Sequence, residues 1–502
     1  MELNDWLKLK SGTDVRGVAL EGVEGEHIDL TDEAVEGIVR ALVYMLAEKL
    51  GKTKLTIAVG HDSRLSAGRI CAAAAKAITE SGCDALLTGL SSTPSMFMLL
   101  QEKDAPADAS IMITASHLPY NKNGLKFFLP SGGFEGKDVT ALLTLAAEGK
   151  ALTGKGSVRE TDYIGRYSEN LVAFVREKTG EETPLAGKKI VVDAGNGAGG
   201  FYVEKVLKPL GADTAGSQFL DPDGSFPNHI PNPENKEAMR SVCEAVQRAH
   251  ADFGIIFDTD VDRAGAVDKN GEEINRNRLI ALIAAILLEE HPGATIVTDS
   301  VTSDGLAQFI AAHGGKHCRY KRGYKNVIDK AKELCAAGQY APIGIETSGH
   351  AALEENYFLD DGAYLVTRIL ITVAKLAKEG RSVSDLIADL PEPAEAAEAR
   401  LTFTAGADFK TLGNAAIEEL KAYVPTAEGL SLAPDNFEGV RINFDKDHGD
   451  GWALVRMSLH EPIMPINIES NTAGGNAKIA AALYAFLKRY PFLVTANLEK
   501  YL

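Results

Sequence analysis

The chain has 502 residues, of which 45% are hydrophobic and 24% charged, so it can bury large cores and we expect three or four domains. Its formal net charge of −18 argues against nucleic acid or membrane partners and favours a small molecule. Five cysteines without a CxxC pair argue against a disulfide scaffold or a zinc site.

The N-terminus has no signal-like apolar core, and the longest apolar run, LIALIAAILL at 279–288, is too short to span a bilayer. We therefore expect a soluble, cytoplasmic protein.

Short β-branched runs alternate with helical patterns along most of the chain. The first long helix is predicted at 32–50, with Thr31 as its N-cap and Gly51 just past its end. Six runs have consecutive apolar residues at their centre and no polar–apolar alternation, as expected of parallel strands covered on both faces. These runs are LTIAV (55–59), SIMIT (110–114), KIVVD (189–193), GIIFD (254–258), ATIVT (294–298) and PIGIE (342–346). The alternation predicts α/β layers.

Changes in composition suggest four domains. Linker-like stretches occur at 180–189 and 391–400, and a weaker break lies near 275–278. Beyond these, residues 440–459 alternate around a Gly/Asp turn like an antiparallel hairpin, and residues 477–490 have a helical pattern. We predict three related α/β/α domains with mixed, mostly parallel sheets, followed by a smaller α+β domain. The predicted boundaries are 1–180, 181–278, 279–392 and 393–502.

Polar or glycine-rich loops follow almost every predicted strand. The loops are GHDSR (60–64), ASHLPYNKNG (115–124), AGNGAGG (194–200), TDVDR (259–263) and TSGH (347–350). Ligands of open α/β sheets bind beyond the carboxyl ends of the strands. We therefore expect loops from several domains to line one cleft.

The segment FGIIFDTDVDRAG (253–265) carries the strongest chemical signal. In an extended chain the side chains of Asp258, Asp260 and Asp262 would lie on one face. Three close carboxylates repel one another unless a cation joins them, and hard oxygen ligands suit Mg²⁺. The EF-hand pattern fails at its glycine and its bidentate glutamate positions. An aspartyl nucleophile of the haloacid-dehalogenase type, or a solvated acidic turn, remains an alternative.

Ser116 follows the run SIMIT and is a candidate nucleophile. The nucleophile elbow GxSxG is not matched, because TASHL lacks both glycines. In an extended segment the adjacent His117 would point away from Ser116 and would be a poor base for a catalytic triad. Taken alone, a serine at this place is most simply a turn former.

Two further motifs place polar side chains at alternating positions. They are Glu346, Ser348 and His350 in GIETSGH, and Arg456, Ser458 and His460 in RMSLHEP. The first set could grasp adjacent hydroxyl groups or could form a capping turn. The second could clamp an oxyanion or could line an exposed strand. PDGSFPNHIPNPE (222–234) predicts a rigid, shaped loop, and Arg16 in SGTDVRG would by default be a surface arginine.

In this order the motifs resemble the α-D-phosphohexomutase superfamily, and within it the bacterial phosphomannomutase/phosphoglucomutase group. GTDVRG is similar to GTDGIRG, GHDSR to GRDTR, TASHLPYNKNGLK to the phosphoserine loop TxSHNP…NGxK, DTDVDR to the metal loop DxDxDR, and GIETSGH to the sugar-binding GEMSGH. VVDAGNGAGG and DGSFPNHIPNPE also look like stretches of the family's second domain. The resemblance implies a heart-shaped, four-domain protein whose last domain holds phosphate.

The resemblance also implies the reaction, which interconverts hexose 1-phosphate and hexose 6-phosphate of mannose, glucose or both. Ser116 would carry a phosphoryl group, and Mg²⁺ would be held by this phosphate and by Asp258, Asp260 and Asp262. The serine would phosphorylate the free hydroxyl of the sugar, and the resulting 1,6-bisphosphate would turn over and return its other phosphate. Glucose 1,6-bisphosphate or an equivalent would act as activator, and we expect a monomer or homodimer.

The family motifs assign further residues by position. The catalytic group would comprise Ser116, Lys126, Arg16, His117 and Arg263, and the substrate-binding group Gly323, Lys325, Glu346, Ser348, His350, Arg456, Ser458 and His460. Lys126 and Arg16 match positions for proton transfer and oxyanion contact, and Arg263 would offset charge on the phosphoryl oxygens. His460 stands where the family motif RxSxTEP has threonine, which would make that phosphate contact sensitive to pH.

Three other functions remain open on sequence grounds. One is a mutase of the same superfamily acting on phosphoglucosamine or a phosphopentose. Another is a haloacid-dehalogenase-like sugar phosphatase that uses Asp258 as nucleophile. The third is a catalytically inactive protein that binds sugar phosphates.

Overall fold

The computed structural model describes residues 2–434, 436–458 and 461–502. They form two compact units. The first contains the residues up to Asn275 together with Ser348–Ala352 and Leu359–Val383. The second contains Arg276–Thr347, Leu353–Phe358 and the residues from Ser384 onward. The predicted boundaries of the four domains stay a prediction.

The helices and strands are numbered here in chain order. The strands are β1 (Lys10–Ser11), β2 (Asp14–Val18), β3 (Thr56–His61), β4 (Asp84–Leu90), β5 (Ala109–Ile113), β6 (Lys122–Leu129), β7 (Gly132–Gly133), β8 (Val158–Glu160), β9 (Ile190–Asp193), β10 (Phe253–Phe257), β11 (Ala264–Asp268), β12 (Glu273–Ile274), β13 (Thr295–Thr298), β14 (Lys316–Arg319), β15 (Ile343–Ile345), β16 (Ala351–Leu353), β17 (Leu359–Asp360), β18 (Glu395–Phe403), β19 (Leu430–Leu432), β20 (Val440–Phe444), β21 (Gly451–Val455), β22 (Ile463–Ser470) and β23 (Leu493–Val494). The helices are α1 (Leu3–Lys8), α2 (Asp32–Leu50), α3 (Ala67–Glu80), α4 (Thr93–Met98), α5 (Gly136–Ala147), α6 (Tyr163–Thr179), α7 (Lys236–Ala249), α8 (Asn277–Glu290), α9 (Asp304–Ala312), α10 (Tyr324–Ala336), α11 (Gly362–Lys378), α12 (Phe409–Tyr423), α13 (Gly475–Leu487) and α14 (Ala496–Glu499). Short helical turns occur at Val203–Leu207, Glu354–Asn356, Val383–Ile387 and Val424–Thr426.

The first unit contains two mixed sheets. One has the order β1-β2-β6-β5-β3-β4-β8, with β7 beside β6, and the other has the order β12-β11-β10-β9. In the first sheet β3 runs parallel to β4 and β5, whereas β6 runs antiparallel to β5 and β2. In the second sheet β10 runs parallel to β9 and antiparallel to β11. The loops after β5 and β10 therefore belong to one compact unit.

The helix predicted at 32–50 is confirmed as α2. The hydroxyl of Thr31 accepts a hydrogen bond from the backbone N of Ala34 at 3.2 Å, and Gly51 ends the helix in the left-handed conformation. One face of α2 is buried in the core of the first sheet through Val35, Ile38, Val39, Leu42 and Leu46.

Each of the six runs predicted as a buried parallel strand forms one. They pair with one another as β3 with β5, β9 with β10, and β13 with β15. The consecutive apolar residues predicted these strands correctly, because helices cover both faces of a parallel sheet and both sets of side chains are buried. The antiparallel strands β2 and β6 belong to the first sheet and β11 to the second. The apolar runs in the sequence did not predict these three strands.

In the second unit, β13 runs parallel to β14 and β15, and a separate C-terminal sheet has the order β19-β20-β21-β22-β18-β23. The C-terminal strands pair antiparallel, and α12 and α13 pack on that sheet. The hairpin predicted within 440–459 is confirmed as β20 and β21, and the predicted closing helix as α13. Three α/β regions followed by a smaller α+β region confirm the predicted fold class. Among the described residues, no helix combines the length and the apolar character needed to cross a bilayer.

The glycine-rich loop after β9 allows the loop after β10 to approach it closely. The backbone N of Ala198 donates to the carbonyl oxygen of Thr259 at 2.8 Å. A Cβ atom on Gly197 would lie only 2.8 Å from Cα and from the carbonyl oxygen of Thr259. Gly197 is therefore required for contact with the loop that carries the three predicted aspartates.

We expect Gly197→Ala to lower the free energy of unfolding by about 1–3 kcal/mol, because the added methyl group must displace the backbone of Thr259. Urea unfolding followed by circular dichroism measures this loss. Gly68→Ala is the matched control, since Gly68 lies in α3 and its Cβ would meet nothing within 4 Å. That control should leave stability unchanged or raise it by about 0.5–1 kcal/mol. Equal unfolding midpoints for Gly197→Ala and the wild type would refute the steric argument.

Candidate active site

Ser116 lies in the loop between β5 and β6, in a left-handed backbone conformation with φ of 51°. Its backbone N donates to the hydroxyl of Thr114 at 2.9 Å, and its side chain is buried. Because the backbone turns at Ser116, His117 does not point away as the extended geometry predicted. Its Nδ1 lies 3.3 Å from Oγ of Ser116, so that expectation was wrong.

Arg263 contacts both residues of this pair. Its Nη2 donates to Oγ of Ser116 at 2.7 Å and also to Nδ1 of His117. An arginine can only donate, so the lone pair of Nδ1 is already used. Burial, together with the charge of Arg263, lowers the pKa of His117 to about 3. His117 is therefore a neutral acceptor, which supports the rejection of a serine–histidine triad.

The three predicted metal ligands converge in the turn between β10 and β11. One carboxylate oxygen from each of Asp258, Asp260 and Asp262 lies within 4.8 Å of the other two. They do not alternate along a strand, because β10 ends at Phe257 and the loop passes through Val261 with φ of 67°. The convergence was predicted correctly, but a tight turn produces it.

The charge of this acidic cluster is incompletely balanced. Burial, then the carboxylates of Asp262 and Asp260, raises the pKa of Asp258 well above its ordinary value. Within the described ranges of the chain, the buried Oδ1 atoms of Asp260 and Asp262 have no hydrogen-bond partner. Buried carboxylate oxygens without donors fit a hard divalent cation. The cluster could therefore hold a metal ion.

Lys126 neutralises one side of the cluster. Its Nζ donates to Oδ2 of Asp260 at 2.9 Å and to Oδ2 of Asp262 at 2.6 Å. Burial by itself would lower the pKa of Lys126, but these two carboxylates raise it well above its ordinary value. Lys126 is thus a charged ammonium. It contacts the Oδ2 atoms, so the Oδ1 atoms of Asp260 and Asp262 remain as candidate metal ligands.

Arg16 lies at the edge of the same loop. Its Nη2 donates to Oδ2 of Asp14 at 2.9 Å, and its Nη1 lies 3.5 Å from the carbonyl oxygen of Ala115. Its buried Nε has no hydrogen-bond partner. Asp14 therefore holds Arg16 beside the Ser116 loop between β5 and β6. Arg16 is not the surface arginine that the sequence alone would suggest.

His350 joins the cluster from the chain segment before β16. Its Nδ1 lies 2.5 Å from Oδ2 of Asp360 and 3.9 Å from Oδ1 of Asp262. Burial would lower the pKa of His350, but Asp360 and then Asp262 raise it above its ordinary value. Sequence reasoning missed Asp360, because nothing in the spacing of LDDG indicated a histidine partner. Ser348 precedes His350 and is also buried in the first unit.

Other predicted substrate-binding residues lie in the second unit. The backbone N of Gly323 donates to Oε1 of Glu346 at 2.6 Å, so the structure brings these two together. Lys325 instead forms a pair at 3.3 Å with Asp329, one turn further along α10. A half-exposed pair of this kind contributes little to stability.

Arg456 and Ser458 follow β21 in the second unit. The guanidinium of Arg456 is mostly buried, its Nη1 lies 3.8 Å from Oε1 of Glu438, and its Nε has no hydrogen-bond partner. The hydroxyl of Ser458 accepts from the backbone N of Glu461 at 3.2 Å. His460 lies outside the described residues.

Comparison with known proteins places the chain in a family. Three family profiles, described as phosphoglucomutase/phosphomannomutase alpha/beta/alpha domains I, II and III, match residues 8–151, 165–271 and 275–394. A phosphoglucomutase of Neisseria gonorrhoeae is 30% identical over 478 residues, which cover 95% of this chain and 96% of that protein. A phosphomannomutase/phosphoglucomutase of Pseudomonas aeruginosa is 29% identical over 458 residues, or 91% of each chain.

A solved structure supports the same assignment. The crystal structure of a phosphoglucomutase/phosphomannomutase family protein from Burkholderia thailandensis superposes with a TM-score of 0.78 at 27% identity, covering 97% of this chain and 98% of that one. The resemblance seen in the motifs is thereby confirmed over nearly the whole length. This chain belongs to the phosphoglucomutase/phosphomannomutase family of the α-D-phosphohexomutase superfamily.

Proposed function

We propose that this protein is a hexose-phosphate mutase, an intramolecular phosphotransferase that interconverts hexose 1-phosphate and hexose 6-phosphate of mannose, glucose or both. The observation that carries the proposal is the environment of Ser116. Its Oγ lies 2.7 Å from Nη2 of Arg263 and 3.3 Å from Oδ2 of Asp258, a member of the three-aspartate cluster. Family membership supports this function over a phosphoglucosamine or phosphopentose mutase and over a phosphatase.

The reaction moves a phosphoryl group from Oγ of Ser116 to the free hydroxyl of the sugar. The Oγ–P bond breaks as the new O–P bond forms, the sugar hydroxyl loses its proton, and Oγ gains one. Arg263 already donates to Oγ and would stabilise the negative charge that develops there. Lys126 is a charged ammonium that would give this proton to Oγ and regain the one that the sugar hydroxyl loses, while Arg16 and His117 would contact the transferred group.

The family's metal fits this site. Mg²⁺ would be held by Asp258, Asp260 and Asp262 with the phosphate on Ser116, and it would offset charge on the phosphoryl oxygens. The buried Oδ1 atoms of Asp260 and Asp262 support this assignment. Glucose 1,6-bisphosphate or an equivalent would act as activator, because it would rephosphorylate a serine that had lost its phosphate.

The remaining predicted residues would bind the substrate. Gly323, Lys325, Glu346 and Ser348 would contact the sugar, and His350 would share the acid and base work. Arg456, Ser458 and His460 would bind the phosphate that is not reacting. The support for Arg456 is its mostly buried guanidinium. Among the described residues it makes a long contact with Glu438 and its Nε has no hydrogen-bond partner, so donors remain for an anion. A cytoplasmic location and a monomeric or homodimeric state stay predictions.

Incubation with glucose 1,6-bisphosphate should place phosphate on Ser116, detected by peptide mass spectrometry. Ser116→Ala should abolish both this label and the exchange between hexose 1- and 6-phosphates, because the variant lacks the oxygen that would carry the phosphoryl group. Ser110→Ala is the control, since Ser110 is a buried serine of β5 that donates to the carbonyl oxygen of Met96. Full turnover by Ser116→Ala, or phosphate trapped on Asp258, would rule out the mutase mechanism.

Mg²⁺ at 100 times its dissociation constant should stabilise the wild type by about 2.7 kcal/mol, raising the melting temperature measured by calorimetry. Asp260→Asn should lose most of this rise, because it removes one of the three carboxylates. The readout does not depend on turnover.

Asp193→Asn is the matched control for the metal experiment. Asp193 is also fully buried, but it accepts hydrogen bonds from the backbone N of Gly195 and from Nε2 of His229. The variant should be less stable than the wild type and should keep the rise with Mg²⁺. An equal rise in Asp260→Asn and the wild type would contradict the proposed metal site.

A further inference from the structure

The guanidinium of Arg64 binds the loop that carries Ser116 through four backbone carbonyl oxygens. Arg64 lies in the loop after β3 and is almost completely buried. Its Nη1 donates to the carbonyl oxygens of Pro119 and Lys122, both at 2.8 Å. Its Nη2 donates to those of Ser116 at 2.5 Å and Leu118 at 2.6 Å. One side chain therefore donates to four carbonyl oxygens of the turn.

The turn needs such a partner for two physical reasons. Several carbonyl dipoles that point at one another repel, and each buried carbonyl requires a donor. Ser116 also adopts a left-handed conformation, which costs about 1 kcal/mol or more for a residue other than glycine and persists only where the surroundings impose it. A guanidinium provides planar, forked donors that a lysine ammonium cannot reproduce.

Arg64 is itself held from its own loop. Oδ1 of Asp62 accepts from the backbone N of Arg64 at 2.9 Å, and Oδ2 of Asp62 lies 3.4 Å from Nε. The backbone N of Asp62 donates to the carbonyl oxygen of Ile113, the last residue of β5. The Asp62–Arg64 pair thus spans the beginning and the end of the Ser116 loop.

The loop at 222–234, which the sequence predicted to be rigid and shaped, covers the other side of Arg64. The ring centroid of Phe226 lies 5.4 Å from Cζ of Arg64. A Cβ atom on Gly224 would lie 2.4 Å from the backbone N of Leu65 and 2.5 Å from the carbonyl oxygen of Ser63. This loop comes from the region of the second sheet, to which Asp258 and Arg263 also belong.

We propose that Arg64, covered by Phe226, is a positioning residue that holds Oγ of Ser116 in register with Arg263 and Asp258. Within the described parts of the chain, Arg64 forms no hydrogen bond or ion pair with Oγ of Ser116 or with the three aspartates. Its charge interacts with that of Asp260, and its hydrogen bonds to the Ser116 loop all go to backbone carbonyls. Ser116 and the groups that stabilise its charge lie on loops of different sheets, and the Arg64–Phe226 contact joins these two regions away from the reacting atoms. The inference rests on the proposed function.

The test is Arg64→Lys in the full chain, which keeps the charge but cannot serve four carbonyls. We expect kcat to fall about 100-fold, because small displacements of a reacting group have effects of this size. KM should change little, since the substrate contacts are elsewhere. Hydrogen–deuterium exchange should accelerate at the amides of Ser116, Leu118 and Lys122, which are hydrogen-bonded within the loop.

Arg69→Lys is the matched control. Arg69 also bridges backbone carbonyls, those of Ala19 and Leu30, both at 3.0 Å, and it pairs with Asp32. This control should lose stability but keep kcat and normal exchange in the Ser116 loop. An equal loss of kcat in both variants would show a general effect of destabilisation and would overturn the proposal.

Phe226→Leu serves as the second variant if Arg64→Lys does not fold. It removes the ring face while keeping an apolar side chain, and kcat should fall about two- to fivefold, as expected for one cation–π contact. Wild-type kcat and wild-type loop exchange in a folded variant would overturn the proposal, as would a raised KM with unchanged kcat.

A wild type without mutase activity would refute the proposed function, whereas loop exchange would still test the role of Arg64.

Discussion

The balance of buried charge around Ser116 is the constraint on which the rest of the active site depends. Three carboxylates, from Asp258, Asp260 and Asp262, face the cations of Lys126 and Arg263, which leaves one negative charge in excess. Burial first, and then the neighbouring carboxylates, raises the pKa of Asp258 well above its ordinary value. A phosphoserine adds about two more negative charges, and a divalent cation would offset them. The acidic cluster, Lys126 and Arg263 therefore form one electrostatic unit, and loss of Lys126 or Arg263 leaves more buried carboxylate charge without compensation.

Two tight turns make this arrangement possible, and each contains a non-glycine residue with positive φ. The turn at Ser116 directs its Oγ toward Arg263. The turn at Val261, in the loop after β10, brings the three aspartates together. Such strain persists where the surroundings impose it, and it is concentrated at functional sites. Gly197 and Gly224 contribute by absence of a side chain, because each allows one loop backbone to approach another.

Sequence reasoning located six parallel strands and the convergence of three aspartates, but not the contacts that orient the side chains. The apolar runs located β3, β5, β9, β10, β13 and β15, because burial on both faces leaves a continuous pattern. The same reasoning misjudged the direction of His117, since it assumed an extended chain where the backbone turns. It also missed Asp360 and the role of Arg64. The partners of Arg64 are carbonyl oxygens, which every residue possesses, so no pattern of side chains can reveal them.

The sequence by itself determined the alternation of strands and helices and the family, and it predicted the groups that we propose for phosphoryl transfer. These follow from hydrophobic periodicity and from motifs that are local in the chain. Only the tertiary structure decided that Arg263 contacts Oγ of Ser116 and that Lys126 contacts the Oδ2 atoms of Asp260 and Asp262. It also decided how Arg64 holds the Ser116 loop. These are contacts between residues up to 147 positions apart in the chain. They depend on the φ angles of a few turns and on the close packing of loops from different sheets, which hydrophobic patterns and local motifs do not specify.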